Sequence, residues 1–474
     1  MPEKPRSYSN KKRSDSKRSF DSKGTFDSKR PFKGGFRRGP SKAIPQKPDA
    51  RAAALKLMNG ALRQGKALDE IFDAATDDLE DRDRAFARLL AATTLRRLGQ
   101  IDGVLANFLD REPPALTHDI LRLSAAQMLF IGTPVHAAVD TAVEAIKRTP
   151  QSKFAGLVNA VLRRVSEKGP TLIEKQDAAR LNMPVWLRTR LRNHYGEAAT
   201  QAIGTAHLHE APVDLTLKDD AAAAKWSTEL NAEVLPTGSL RLKEAGRIVD
   251  LPGFDEGAWW VQDAAAALPA RILLHALNQP KGKDVADLCA APGGKTLQLA
   301  AAGCEVTAVD LSPKRLERVR ENMARVGVDA KVVKADALTW QPPHKFDGVL
   351  LDAPCSSTGT IRRHPDLPYL KEAEDIKRLS ERQRGMLKAA ADLLKPGGVL
   401  VYSVCSLDAD EGEAVVEAVL AEDNTLTREP VPASLLGGAI EFLNTQCDLR
   451  TLPSHWADRG GLDGFYAALL RKRS

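Results

Sequence analysis

From Asp49 to about Gly169, apolar residues recur at three- and four-residue spacings, as in "ARLLAATTLRRLGQIDGVLANFL" and "LVNAVLRRVSEKG". That is the period of helices burying one face. Pro113-Pro114 and Gly132-Thr133-Pro134 punctuate the stretch, so about five to seven helices are expected. Between 170 and 280 the pattern is mixed. "MPVWLRTRLRNHYGEAA" and "VQDAAAALPARILLHAL" read as helices, "VDLTLK" and "GRIVDL" as short strands. Beyond Gly282 the period changes again. Apolar runs suited to buried parallel strands, "DVADLCA", "EVTAVDL", "AKVVKAD", "DGVLLDAP" and "GGVLVYSVC", alternate with amphipathic helices. In "SPKRLERVRENMARVG", Ser312 is placed to cap a helix with Pro313 at its first position, and Leu316, Val319, Met323 and Val326 form the apolar stripe. A longer helix is expected near Glu372–Leu394, stopped by Pro396-Gly397-Gly398, and "DGFYAALLRKR" reads as the last strand. The alternation predicts a doubly wound α/β domain, with ligands outside the carboxyl ends of its strands.

Charge changes this picture only at the start. The 474-residue chain carries a net +7. Residues 1–49 hold 15 Lys and Arg against 5 Asp and Glu, leaving 54 against 57 in the rest. The tail is thus +10 and the remainder −3. Its near-repeat "SFDSKGTFDSKRPFKGGFRRGP" is poor in aliphatics, cannot bury a core and is expected to be disordered. Its cations could neutralise phosphates while Phe20, Phe26 and Phe32 stack on unpaired bases; the bland reading is a solvated tail with no dedicated partner. Its repeated Asp and excess of Lys argue against a transit peptide, and the first thirty residues lack the apolar core of a secretory signal. Nor does any run reach the 18 or so apolar residues of a membrane span. Five cysteines without a C-x-x-C pair indicate neither a zinc site nor a disulfide framework, so no metal is expected, and a reducing, cytoplasmic compartment is.

The first strand of the α/β region runs into "DLCAAPGGKT", Asp287 to Thr296. A Walker loop would need glycine where Cys289 stands, and Gly-x-Gly-x-x-Gly is absent. What remains is a loop receiving a nucleoside without a pyrophosphate. Gly293 and Gly294 allow a tight turn and close backbone approach. Asp310, closing the second strand, is placed to hold ribose hydroxyls, and Asp336, closing the third, to accept from an adenine amino group. Carboxylates suit a cationic sulfonium and not a triphosphate. S-adenosylmethionine therefore fits best. That these acids merely cap helices explains one strand-end aspartate readily, but four (287, 310, 336 and 352) poorly.

Two cysteines stand just past strands: Cys355 in "LLDAPCSSTG" and Cys405 in "VYSVCSLDADEGE". A buried cysteine is usually a small core residue, which suffices for Cys304 and Cys447 and serves for Cys289 too. Two at neighbouring strand ends, beside Asp352 and small polar residues, call for chemistry. At this point the chain resembles the RNA cytosine-5 methyltransferases, and among them the RsmB (Sun/Fmu) ribosomal RNA enzymes. The residues carrying the resemblance are "PVHAAVDTAVEAIKR" and "SKFAGLVNAVLRRV", which look like the end of a NusB-type domain, with "DLCAAPGGKT", "LDAPCSSTG", "IRRHPD", "SVCS" and "DGFYAAL". The resemblance implies a Rossmann-like S-adenosylmethionine-dependent methyltransferase domain over 281–474. It also implies an all-α NusB-like RNA-binding domain over 50–169, with a small α/β subdomain over 170–280 between them. It implies Cys405 as the nucleophile on cytosine C6, Cys355 as the residue assisting release, Asp352 on the cytosine edge and Lys295 near the site. The cofactor would be held by Cys289, Ala290, Ala291, Pro292, Gly293, Gly294, Lys295, Asp310, Arg315, Asp336 and Asp352. The substrate would be small-subunit (16S) ribosomal RNA, with no membrane and no obligate protein partner.

One departure is that "VQDAAAALPA" offers only alanines past Asp263, where the family often has serine, leaving a helper role for that segment open. Two other readings compete. A DNA cytosine-5 methyltransferase would use the Pro-Cys thiol as nucleophile, but carries Glu-Asn-Val where this chain has Ser-Val-Cys-Ser. A non-enzymatic RNA-binding or transcription factor would rest on the NusB-like half alone.

Overall fold

Asp49 caps the first helix, its carboxylate accepting from the Arg51 N–H at 3.0 Å. The structure, a computed structural model, describes residues 49–474 apart from residue 245. The basic tail, all but Asp49, lies outside the described residues. From this cap seven α-helices, Ala50–Gln64 to Ala155–Glu174, pack around a core that includes Leu57, Met58, Leu90, Leu95, Ile101 and Leu105. Each such side chain contributes roughly 1.5–3 kcal/mol by leaving water. The last of these helices continues through Pro170 to Glu174, past the change of pattern at residue 169. Gly169 is there not to end the helix but because a Cβ would collide with Leu129.

The helix Val185–His207 leads to an antiparallel sheet of four short strands: β1 (Asp214–Leu217), β2 (Ala232–Val234), β3 (Leu240–Leu242) and β4 (Trp259–Val261), in the order β2-β3-β1-β4. The strand expected at "GRIVDL" is not formed; Ile248–Asp250 is a single 3₁₀ turn closed by Asp250 N–H on the Arg247 carbonyl. Three strands of three residues each escaped the sequence reading, being too short to show alternation.

The second sheet carries β5 (Asp284–Leu288), β6 (Glu305–Asp310), β7 (Lys331–Lys334), β8 (Phe346–Asp352), β9 (Leu394–Val404), β10 (Leu426–Glu429), β11 (Leu449–Thr451) and β12 (Phe465–Lys472). Its order is β10-β12-β9-β8-β5-β6-β7, with β11 also on β12. Strands β5 to β9 are parallel, whereas β12 runs antiparallel to β9. The order reverses between β5 and β8, which opens a crevice at their carboxyl ends. Helices Ala264–Leu277, Gly294–Ala301, Pro313–Val326 and Ala373–Asp392 cover the sheet. Ser312 caps the third of these with Pro313 at its start, as its sequence predicts. The fourth ends before the Pro396-Gly397-Gly398 stop, because β9 already pairs at Leu394, and a bulge between Phe346 and Gly348 absorbs the glycines. No described helix is long and apolar enough to cross a membrane.

Candidate active site

The β5–β8 crevice holds a cleft of ≈ 590 Å³. Its floor is the turn after β5, where Cys289 takes a left-handed φ of 62° and Gly293 one of 107°. A Cβ on Gly293 would press on Val319, and one on Gly294 on Gln262, at 3.3 Å in each case. The glycines thus serve close packing as well as the turn. Cys289, Ala290, Ala291, Pro292, Gly294 and Lys295 line the cleft, with Asp352 and Cys405 opposite.

Three other expected residues, Asp310, Arg315 and Asp336, are not among those lining the cleft. Asp310 is buried, its carboxylate accepting from Ser312 N–H at 2.9 Å and Ala291 N–H at 3.3 Å. Arg315 lies over it at 3.2 Å and also reaches the Ala291 carbonyl, so a ribose at Asp310 requires that half-exposed guanidinium to move aside. Asp336 accepts from Leu338 N–H at 3.1 Å and faces Arg382 at 3.3 Å.

At the β8 and β9 ends the two thiols meet. Cys355 Sγ lies 3.5 Å from Cys405 Sγ, and Ser357 Oγ stands 3.5 Å from Cys405 Sγ. A hydrogen bond from Cys355 holds the Cys405 thiol below its ordinary value of 9.0 against the opposing effect of burial. The same contact, reinforced by burial, drives Cys355 well above it. Of the pair, Cys405 is the more readily ionised and Cys355 the one that holds its proton more tightly. Beside them Lys295 Nζ donates to Asp352 Oδ2 at 2.7 Å, and Ser403 Oγ donates to Oδ1 at 3.0 Å. Burial pushes the lysine pKa down, but Asp352 outweighs it and leaves it raised.

Sequence reasoning passed over part of the wall. Gln262 accepts from Trp260 Nε1 at 2.8 Å and donates to Gln298 at 2.9 Å, so its role is to brace the cleft. Asp263 caps the helix Ala264–Leu277 and accepts from Arg363 at 2.6 Å. Arg363, Asp463 and Phe465 complete that side. The pairing of "IRRHPD" with two distant aspartates is long-range and left no periodic signal. Elsewhere, His194, Asp408 and Asp410 bring their ligand atoms within 4.8 Å of one another, but Arg190 already bonds both carboxylates.

The cleft's charges indicate its ligand. Asp287 is fully buried in the wall, with Oδ2 on Thr296 Oγ1 at 2.5 Å and Oδ1 without a partner. Burial pushes its pKa up to about 7. Each cation of the wall is engaged: Lys295 by Asp352, Arg363 by Asp263 and Asp463, Arg325 by the Phe254 and Trp259 carbonyls. Among the described residues no wall cation is left free to hold a phosphate, whereas the acids of the wall suit a positively charged ligand. S-adenosylmethionine, a sulfonium without phosphate, fits these residues.

A Rossmann-like sheet with this cleft at its switch point defines an S-adenosylmethionine-dependent methyltransferase. The family model described as 16S rRNA methyltransferase RsmB/F matches residues 274–471, and that of the NusB family matches residues 48–167. The ribosomal RNA small subunit methyltransferase B of Pasteurella multocida is 33% identical over 443 residues, 89% of this chain and 96% of its own. That of Vibrio cholerae is 34% identical over 444 residues, 90% of this chain and 98% of its own. Among solved structures, that of PH0851 superposes with a TM-score of 0.68 at 23% identity, covering 89% of this chain and 99% of its own. NSun6 from Pyrococcus horikoshii gives 0.51 at 20% identity, covering 61% and 98%. The chain belongs to the RsmB/F methyltransferase family, with a NusB-family region ahead of its catalytic sheet.

Proposed function

We propose that this protein methylates C5 of a cytosine in small-subunit (16S) ribosomal RNA through a covalent Cys405–C6 adduct. The observation that carries the reading is the thiol pair, one sulfur acidified by the other at 3.5 Å on the rim of the cleft. Cytosine C5 is a poor nucleophile. When Cys405 Sγ bonds to C6, the C5–C6 double bond is lost and C5 gains the electron density needed to accept a methyl group. The bound sulfonium supplies that methyl group as an electrophile. C5 then gives up its proton to water in the open cleft, its C–H electrons re-form the C5–C6 double bond, and the Sγ–C6 bond breaks with its electron pair returning to sulfur as the thiolate. Cys355 assists this release. Asp352, braced by Lys295 and Ser403, contacts the cytosine edge. Asp310, Asp336 and Asp352, with the 289–295 turn and Arg315 once it has moved off Asp310, hold the methyl donor. We assign residues 50–169 to RNA binding, 170–280 to a linking subdomain and 281–474 to catalysis. The unpaired cysteines suit a reducing cytoplasm.

The test is a denaturing gel with labelled ribosomal RNA and S-adenosylmethionine. Cys355→Ala should add, methylate and stall, accumulating a covalent protein–RNA band. Cys405→Ala and the double variant should show none while still binding RNA. A stable band from Cys405→Ala and none from Cys355→Ala would reverse the roles and favour chemistry of the DNA-enzyme type.

A further inference from the structure

The two cysteine loops converge on one carboxylate that does not line the cleft. Glu411 is fully buried. Its Oε1 accepts from the Ser356 N–H at 2.9 Å and from Gln383 Nε2 at 3.1 Å. Its Oε2 accepts from Ser356 Oγ at 2.5 Å and Ser406 Oγ at 2.6 Å. Ser356 directly follows Cys355, and Ser406 directly follows Cys405. Burial raises the Glu411 pKa, and the four donors on its two oxygens, two of them N–H groups, oppose that rise by stabilising the charged form. The Ser406 hydroxyl accepts from Asp408 N–H at 3.0 Å, which leaves its proton for Glu411. The loop bearing Glu411 is itself fixed, since its carbonyl accepts from Tyr402 Oη at 2.6 Å.

We propose that Glu411 is a positioning residue for the thiol pair: its carboxylate ties the residue after each cysteine to one point, fixing the sulfur–sulfur contact and deciding which sulfur keeps the shared proton. This deepens the covalent reading and rests on it. Other ties join the loops, Gly359 N–H on the Cys405 carbonyl at 3.0 Å, Leu407 N–H on Thr358 Oγ1 at 2.9 Å and Ser356 Oγ against Ser406 Oγ at 3.1 Å, but among the described residues only Glu411 brings a charge to both residues that follow the cysteines. The charge acts in the same direction as the geometry. A buried anion behind Cys355 opposes its ionisation, so its proton stays and is offered to Cys405.

The test uses the full-length protein and needs no RNA. The rates of iodoacetamide alkylation at Cys405 and at Cys355 are followed against pH by peptide mass spectrometry. In the wild type Cys405 should react at lower pH than Cys355. In Glu411→Gln the two profiles should converge, with the Cys405:Cys355 rate ratio near neutral pH falling by on the order of tenfold, the scale of one charge-assisted hydrogen bond. Ser356→Ala and Ser406→Ala should shift it the same way by less, and they decide the matter if Glu411→Gln does not fold. Turnover of Glu411→Gln should fall while its affinity for S-adenosylmethionine stays unchanged. A wild-type rate ratio in all variants that fold would overturn the proposal, even if their melting temperatures drop. Because alkylation involves no adduct, such a result is distinct from failure of the Cys355→Ala band, which would count against the covalent reading itself.

Discussion

Asp287→Asn should make the protein more stable above neutral pH. The carboxyl is fully buried, one oxygen has no partner, and burial raises its pKa from the ordinary 3.8 to about 7. Between those values the folded protein keeps a proton that the unfolded chain has lost. Stability therefore falls as pH rises across this window and levels off above it. At about 1.4 kcal/mol per pH unit, the gap corresponds to roughly 4 kcal/mol at pH 8, and to almost nothing at pH 4. The asparagine variant has no charge to bury, and its side-chain oxygen can still accept from Thr296 Oγ1. Urea unfolding of both proteins at intervals from about pH 4 to 8 measures the difference. Its slope, not its absolute value, carries the test. Parallel pH profiles would refute the reasoning and show that Asp287 is ionised in the fold, its charge met by Lys295.

Asp310→Ala should weaken S-adenosylmethionine binding about ten- to a hundredfold, the loss of roughly 1.5–3 kcal/mol expected for a charge-assisted hydrogen bond. Calorimetry on a folded variant reads this directly, and unchanged affinity would remove Asp310 from the ribose. Deleting residues 1–49, which carry +10 against −3 for the rest, should flatten the salt dependence of RNA binding without moving the methylated position. Equal salt slopes for the truncated and full-length proteins would refute it.

What could be read from the sequence follows the range of the interactions involved. Strands β5 to β9 and the helices between them are local patterns several residues long, so "EVTAVDL" and "SPKRLERVRENMARVG" announced themselves. The three-residue strands β2, β3 and β4 are held by pairing partners elsewhere in the chain, which no window contains. Within the site, Cys355 and Cys405 were visible because each ends a readable strand in a resembling motif. Glu411 was not. It sits in an acidic run where no local pattern marks one acid as buried, and only the approach of two loops some fifty residues apart reveals it as an acceptor. Asp310 shows the opposite case: its strand-end position was legible, but not the guanidinium of Arg315 across it.

The segment "IRRHPD" joins these two scales. Arg362 is buried and donates to the Gly460 carbonyl at 2.6 Å and to Asp463 at 3.3 Å, and Arg363 bonds Asp263 and Asp463 in the cleft wall. The same few residues face the N-terminal helices. Arg96 donates to the Arg362 carbonyl at 2.9 Å, His364 lies 3.3 Å from Asp69, and Asp366 accepts from the Leu68 N–H at 2.8 Å. Two arginines against two aspartates leave the cluster near neutral, which buried charges require, and removing any one would strand its partner. A flexible linker between an RNA-binding part and a catalytic part would let the first raise only the local concentration of substrate. Here four residues of one six-residue segment, Arg362, Arg363, His364 and Asp366, bond between them to both. If the N-terminal helices grip RNA, as proposed, the spacing from that grip to Cys405 is set by this segment, so the helices help select which cytosine reaches the thiol.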